Sequence, residues 1–289
     1  MSKIRPLIVC GMGRSGTRMC ANILNNSDLV ELQGEIGGPA GTKMVIWLEA
    51  ARRQRHNESS DGVYALARAA FQLGSAGRAL DRPDARWFGH KTPRHERHFG
   101  RYENIFSDPD NLATYVYCLR NPFDVWRSYR AMPWNKFANA AGFVRAWTKS
   151  VRNYELMKSR AGERVLTFHL DDFIASPDRL DYLRPVLLDP LGITSDTFSR
   201  PVDELKNSNS ALTKVGVVPE PLPNADIATI GFDKEVRRMI DAYFPALDVD
   251  AMLANLPAPH WSLSRASTDL RWNTKRTLKR IGRKLVRAI

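Results

Sequence analysis

Five short segments of the chain combine aliphatic, β-branched and aromatic residues without helical spacing: 7–10 (LIVC), 29–32 (LVEL), 85–90 (ARWFGH), 115–119 (YVYCL) and 165–170 (VLTFHL). Segments of this length and composition predict buried strands. Between them apolar positions return every three or four residues. Met19, Ile23 and Leu24 mark a helix that begins at about Thr17; Met44, Trp47, Leu48 and Ala51 mark one over 42–55; Tyr64, Ala67, Phe71 and Leu73 mark one over 63–80. The stripe Phe137, Phe143, Trp147, Tyr154 and Met157 predicts a long helix within 135–160, its apolar face packed in the core. Further helices follow Pro122 and Ser176-Pro177, the latter closing at Leu191-Gly192, and short ones span 236–244 and 250–256. Alternating strand and helix segments are the pattern of an α/β protein. The polar, proline-punctuated stretch 201–226 breaks the alternation and reads as a long surface loop.

The first strand segment runs directly into Gly11-Met12-Gly13-Arg14-Ser15-Gly16-Thr17-Arg18. A strand that passes through a glycine-rich turn into a helix aims several backbone N–H groups, and the positive end of the helix dipole, at one point, a ready site for an anion. Gly11 to Gly16 keeps the GxxxxG frame of a nucleotide phosphate loop, yet Thr17 and Arg18 stand where an NTPase needs Lys and then Ser or Thr. The lysine that reaches the outer phosphates and the hydroxyl that holds magnesium are therefore missing, and a cation, Arg14, sits inside the loop instead.

Later stretches add candidate chemistry. Lys91 ends a strand segment ahead of Thr92-Pro93, and proline bars its predecessor from helical geometry, so the lysine is expected to emerge into a loop. That loop lies at the carboxyl edge, where open α/β sheets bind their ligands. Arg120 likewise follows a strand segment, and Asn121-Pro122 opens a helix that carries Ser128 eight residues after the arginine; such a pair can bracket a second phosphate. Glu35 lies among Gly34, Gly37, Gly38 and Gly41, read as a mobile, close-approach loop from which a carboxylate can reach a substrate. His169 reads as a packed histidine, and Asp171-Asp172 as helix-capping carboxylates rather than metal ligands.

Taken together, these stretches resemble the donor-binding motifs of the sulfotransferases that use 3′-phosphoadenosine 5′-phosphosulfate (PAPS). In that family a Lys or Arg precedes Ser-Gly-Thr, and the Arg form is similar to the carbohydrate and tyrosylprotein branches. The second family motif is Arg-(Asp/Asn)-Pro, then Asp, then Ser at the eighth position, matched here by Arg120, Asn121, Pro122, Asp124 and Ser128. The resemblance covers roughly residues 5–192. It implies an α/β, three-layer, P-loop-like fold with a central, mostly parallel sheet flanked by helices over 1–260, including a helical insertion at 36–86 and a loop at 201–230. It also implies that Gly13, Arg14, Ser15, Gly16, Thr17 and Arg18 bind the 5′-phosphosulfate, and that Arg120 and Ser128 bind the 3′-phosphate. Arg14 would neutralise the leaving phosphate and Lys91, in its Lys-Thr-Pro context, would contact the sulfuryl group. Glu35 would be the general base, with His90 and His95 as alternatives. Arg18 departs from the family, which has a second Thr or Ser there. The implied partner is a hydroxyl-bearing acceptor such as a glycan or glycolipid, and no metal is implied.

Composition changes this picture in one place. The 289 residues carry a net charge of +12, and 271–289 holds eight basic residues and no acidic one, so the rest carries only 12 − 8 = +4. In 261–289, Leu278, Ile281, Leu285 and Ile289 face away from Lys279, Arg280, Arg283, Lys284 and Arg287, as in a basic amphipathic helix suited either to an anionic membrane surface or to packing on the body. Nucleic-acid binding is the weaker reading, since the cations are confined to this tail. Neither an export signal nor an apolar run long enough to cross a bilayer is present, so a cytoplasmic location is expected, with the tail as a candidate peripheral contact at the inner membrane surface. Cys10, Cys20 and Cys118 show no metal or disulfide spacing and read as buried thiols. Two other classes stay open on these residues, a P-loop phosphotransferase and a non-enzymatic adaptor driven by the basic tail.

Overall fold

The computed structural model describes residues 4–36, 38–54, 60–74, 80–205, 216–254 and 256; the predicted basic helix of 261–289 lies outside them. Its centre is one sheet of β1 (Arg5–Gly11), β2 (Val30–Gln33), β3 (Trp87–Lys91), β4 (Thr114–Leu119) and β5 (Val165–His169), in spatial order β2-β3-β1-β4-β5. All neighbours are parallel: Leu7 on β1 is level with Gly89 on β3 and Thr114 on β4. Parallel neighbours need crossover connections, which the intervening helices supply.

Both faces of the sheet are covered, so successive residues of a strand enter different cores. Ile8 and Cys10 of β1 share one core with Tyr115 and Tyr117 of β4, while Leu7 and Val9 share the other with Val116 and Cys118. This two-sided burial is why LIVC and YVYCL read as continuous apolar runs. One face is covered by α1 (Thr17–Leu24), α7 (Leu170–Ala175) and the helical turns of 179–191. The other is covered by α2 (Gly38–Gln54), α3 (Ser60–Gly74), α4 (Phe99–Ile105), α5 (Pro122–Arg130), α6 (Ala140–Ala161) and the helices Asn224–Gly231, Lys234–Tyr243 and Val249–Leu253. β1 and β4 are adjacent, yet the helices that follow them, α1 and α5, leave to opposite faces. Such a divergence opens a crevice at the carboxyl ends of the two strands.

Several local expectations are corrected. Gly38 and Gly41 belong to the first turn of α2 rather than to a mobile loop; a Cβ on Gly41 would overlap the Ile36 carbonyl, so that glycine serves close approach. α3 is described over Ser60–Gly74, residues 75–79 of the predicted 63–80 span lying outside the described residues, and α6 begins at Ala140, where the Asn139 side chain accepts the Gly142 N–H at 2.9 Å and caps it. Residue 170 opens α7 rather than ending β5. Within the stretch read as a loop, Asn224–Gly231 is a helix. It is pinned to α5 by Asp226, which accepts hydrogen bonds from Trp126 Nε1 at 2.8 Å and Arg130 at 2.7 Å. The helices of 36–86 are fastened to the sheet edge by a buried carboxylate: Glu31 of β2 accepts hydrogen bonds from Arg68 and Gln72, one turn apart on α3. No described helix is long and apolar enough to cross a membrane.

Candidate active site

The loop after β1 is shaped by its backbone. Gly11, Arg14 and Gly16 have φ of 130°, 70° and 88°. A Cβ on Gly11 would overlap the Cys118 carbonyl of β4, so β1 leaves the sheet against β4 only because residue 11 is glycine. The Ser15 N–H donates to the Met12 carbonyl at 3.2 Å, and the Cys20 N–H to the Gly16 carbonyl at 2.9 Å. Thr17 therefore starts α1 directly, and the N–H groups of that first turn have no intrahelical acceptor. Ser15 and Thr17 are buried, whereas Arg14 and Arg18 are half-buried. Both peptide groups of Gly11 are held by the segment after β3: the Arg94 N–H donates to the Gly11 carbonyl at 2.8 Å, and the Gly11 N–H donates to Glu96 at 3.2 Å. The other Glu96 oxygen accepts the Ser150 hydroxyl at 2.6 Å. Burial raises the Glu96 pKa while these hydrogen bonds oppose the rise.

Lys91 is not in a loop. It is the last residue of β3, buried, and its ammonium is 3.3 Å from the Glu35 carboxylate. The sheet continues one residue further than predicted because Val9 of β1 pairs with Lys91, and the chain turns away only afterwards, at Thr92-Pro93. Glu35 itself is 45 % exposed, so it faces solvent beside the buried lysine. Thr92 sets this corner: its hydroxyl accepts the Ile36 N–H at 3.1 Å and lies 2.9 Å from His90 Nδ1. His90 Nε2 and His95 Nδ1 in turn lie 2.8 and 2.7 Å from the Tyr102 hydroxyl. Burial foremost, then neighbouring cationic groups, lower His90 to about 3 and His95 to about 2. Both rings are core groups tied to Tyr102.

The loop after β4 is shaped by side chains. Arg120 Nε donates to Asp171 Oδ1 at 3.2 Å, while Asp171 Oδ2 accepts from the Asn121 N–H at 2.9 Å and from Asn121 Nδ2 at 3.0 Å. Asn121 Oδ1 accepts the Asp124 N–H at 2.9 Å and caps α5, with Pro122 in the first turn. The expectation that Asp171 caps its own helix is therefore corrected. No side chain caps α7, and Asp171 spends both oxygens on the Arg120-Asn121 corner of β4. The long-range charge of Arg120 outcompetes a local cap.

The two loops meet. Arg14 Nε donates to Ser128 Oγ at 2.9 Å, and Arg120 Nη1 donates to the Arg14 carbonyl at 3.4 Å. Burial, and after Tyr129's opposing pull the neighbouring Arg120, lower the Arg14 pKa. Gly13 allows a further approach, since a Cβ there would overlap the Tyr129 hydroxyl of α5. Of the predicted site residues, the structure thus brings Gly13, Arg14, Arg120 and Ser128 together and pairs Lys91 with Glu35; Ser15, Gly16 and Thr17 form the turn beneath. Asp171, Tyr129, Thr92 and Glu96 went unread as site residues. Tyr129, next to Ser128 in a matched motif, was the one with a signal.

The sulfotransferase family model matches residues 6–180, more than half of the chain and a span that contains both loops and Lys91. No curated protein matches the sequence. Solved structures similar to this one include the sulfotransferase domain of an olefin synthase from Synechococcus PCC 7002, at 14 % identity and TM-score 0.47 over 86 % of this chain and 97 % of that one. The sulfotransferase STF9 from Mycobacterium avium follows at 13 % identity and TM-score 0.46, over 85 % of this chain and 77 % of that one. A mouse sulfotransferase, SULT7A1, solved in complex with PAP, is similar at 16 % identity and TM-score 0.41, over 92 % of this chain and 90 % of that one. On the family match, this chain belongs to the sulfotransferase family.

Proposed function

We propose that this chain transfers a sulfuryl group from PAPS to a hydroxyl acceptor, a carbohydrate or glycolipid, by in-line displacement. The observation that carries the reading is the meeting of the two loops, with Arg14 on Ser128 and Arg120 on the Arg14 carbonyl. Two guanidiniums crowded in a half-buried crevice beside a helix N-terminus fit a ligand with more than one negative charge. A nucleotide with separate 5′ and 3′ phosphates supplies those charges at two points. The missing loop lysine argues against an NTP.

When bound, PAPS supplies an activated sulfur and a phosphate leaving group. The backbone N–H groups of Ser15 to Arg18 and the Thr17 hydroxyl would hold the 5′-phosphate, and the Arg14 guanidinium would neutralise the charge that builds on the departing oxygen. Arg120, oriented by Asp171, and Ser128 would hold the 3′-phosphate. Lys91 would serve the sulfuryl group from the end of β3. Glu35, solvent-facing and fixed by Lys91, would accept the proton of the attacking hydroxyl. The choice of a glycan or glycolipid rests on the Arg-type loop and on the basic segment 271–289, which suits an anionic membrane surface.

Thermal unfolding with adenosine 3′,5′-bisphosphate (PAP) or with ATP and magnesium tests the reading. A ligand at ~100 times its dissociation constant adds roughly 2.7 kcal/mol to stability. Stabilisation by PAP is expected; stabilisation by ATP–magnesium alone would favour a phosphotransferase and sink the proposal.

A further inference from the structure

Among the described residues only two non-glycines have left-handed backbone, and both are arginines of the crevice: Arg14, with φ 70°, and Arg94, with φ 67°. Such a conformation persists at a non-glycine only where its surroundings impose it, and it clusters at sites of function. The Arg94 backbone is imposed by the phosphate loop itself, through its N–H on the Gly11 carbonyl at 2.8 Å. Tyr129 reaches the same loop from α5, its hydroxyl occupying the space that a Gly13 side chain would need, and Pro93 Cβ lies 4.0 Å from that point. The Tyr129 ring is fixed by Phe137 and Phe143, at centroid distances of 5.1 and 6.2 Å. Tyr129, the Pro93-Arg94 turn and Gly13 therefore share one wall of the crevice.

Both groups are left with donors to give. Among the described residues neither the half-buried Arg94 guanidinium nor the Tyr129 hydroxyl has a hydrogen-bond or ion-pair partner. Burial pushes the Tyr129 pKa up to about 12, with Arg94 and then Arg14 pulling it down and Glu35 opposing them, so the phenol keeps its proton at neutral pH.

We propose that Arg94 and Tyr129 are further catalytic residues, whose N–H and O–H groups donate to the oxygens of the sulfuryl group during transfer. The inference rests on the PAPS reading. The nucleotide's two phosphates already have the β1 loop with Arg14, and Arg120 with Ser128, whereas the ammonium assigned to the sulfuryl group, Lys91, is shared with Glu35. In the transfer an acceptor O–S bond forms, the S–O bond to the 5′-phosphate breaks, and the acceptor proton goes to Glu35. Arg94 and Tyr129 neither gain nor lose a proton, and their effect is electrostatic.

PAPS and PAP differ only by the sulfuryl group, so a comparison of the two needs no knowledge of the acceptor. Binding of each to the full chain is measured by titration calorimetry in wild type, Arg94→Gly and Tyr129→Phe. The glycine removes the guanidinium while easing the backbone, and the phenylalanine keeps the packed ring. Each substitution is expected to weaken PAPS about tenfold and to leave PAP within about twofold, the loss of one charge-assisted or buried hydrogen bond. Acceptor-independent release of sulfate from PAPS should slow by at least the same factor. Equal losses for PAP and PAPS would overturn the proposal in favour of loop positioning. No loss for either ligand would overturn it in favour of an acceptor contact. A wild-type chain that fails to bind PAP would remove the PAPS reading, and this inference with it.

Discussion

The two loops that border the crevice reach their shapes by opposite means. The loop after β1 contains three positive φ values, at Gly11, Arg14 and Gly16, and has space for no Cβ at Gly11 or Gly13. The loop after β4 has no positive φ and is built from side chains, with Asp171 gripping Arg120 and Asn121 from the neighbouring strand's helix. The first presents peptide N–H groups and is sensitive to volume; the second presents a guanidinium and is sensitive to charge. A ligand that touches both is held by dipoles at one end and by a full charge at the other, which suits two phosphates in different surroundings.

The largest expected effect lies outside both loops, just past the end of β2. Glu35→Gln should lower kcat by ~10²–10⁴-fold through loss of the general base. PAP affinity should stay within a few-fold, and a matching fall in PAP affinity would move Glu35 from chemistry to binding. Next is the backbone-built loop itself. Gly11→Ala should cost about 3 kcal/mol of stability in urea unfolding, because the new Cβ meets the Cys118 carbonyl at a φ of 130°. An equally mild substitution in the other loop, Asn121→Ala, should cost about 1 kcal/mol, the loss of a helix cap. Equal costs would erase the contrast.

Charge is the weakness of the second loop. Asp171→Asn should weaken PAP about tenfold, since Arg120 loses its charged anchor while the side-chain volume is kept. Calorimetry checks this, and Asp171→Glu should restore part of the loss.

The last effect is one of pH and concerns the buried His90. His90 is held near 3 in the folded chain, against an ordinary value of about 6.5, so as pH falls the unfolded chain takes up the proton first. Stability is then complete above pH 6.5 and drains away toward pH 3, by about 2 kcal/mol for His90 between pH 7 and pH 5. Urea midpoints at the two pH values measure the slope, and His90→Gln should flatten it.

The division between what could and could not be read along the chain follows the same contrast. The sheet and its order of segments were legible because LIVC and YVYCL are buried on both faces, and a run with no polar position has few alternatives to a central parallel strand. The glycine loop was legible because its constraint is local: the positive φ of Gly11 and Gly16 favours glycine, and Gly11 and Gly13 have no room for a Cβ. Asp171 was misread as a cap because its true partners, Arg120 and Asn121, lie 51 and 50 residues earlier and no local rule links them. The Tyr129 ring packs in the core against Phe137 and Phe143, and only the spatial approach of Gly13 shows what its hydroxyl touches. The helix Asn224–Gly231 escaped because Pro219, Pro221 and Pro223 precede it and its eight residues give too short a run for the helical spacing of Ile227 and Ile230 to stand out, although Ile230 is buried in the core and Asp226 ties the helix to α5.

The central claim is that one ligand spans the backbone-built and the charge-built loop. Titration of wild type and Arg120→Ala with PAP and with AMP, which lacks the 3′-phosphate, tests it most directly. In wild type PAP should bind ~100-fold more tightly than AMP, about 2.7 kcal/mol for a charge-assisted phosphate contact, and in Arg120→Ala that preference should collapse to a few-fold while AMP binding is unchanged. Equal affinity for PAP and AMP in wild type, or a preference that survives Arg120→Ala intact, would contradict it.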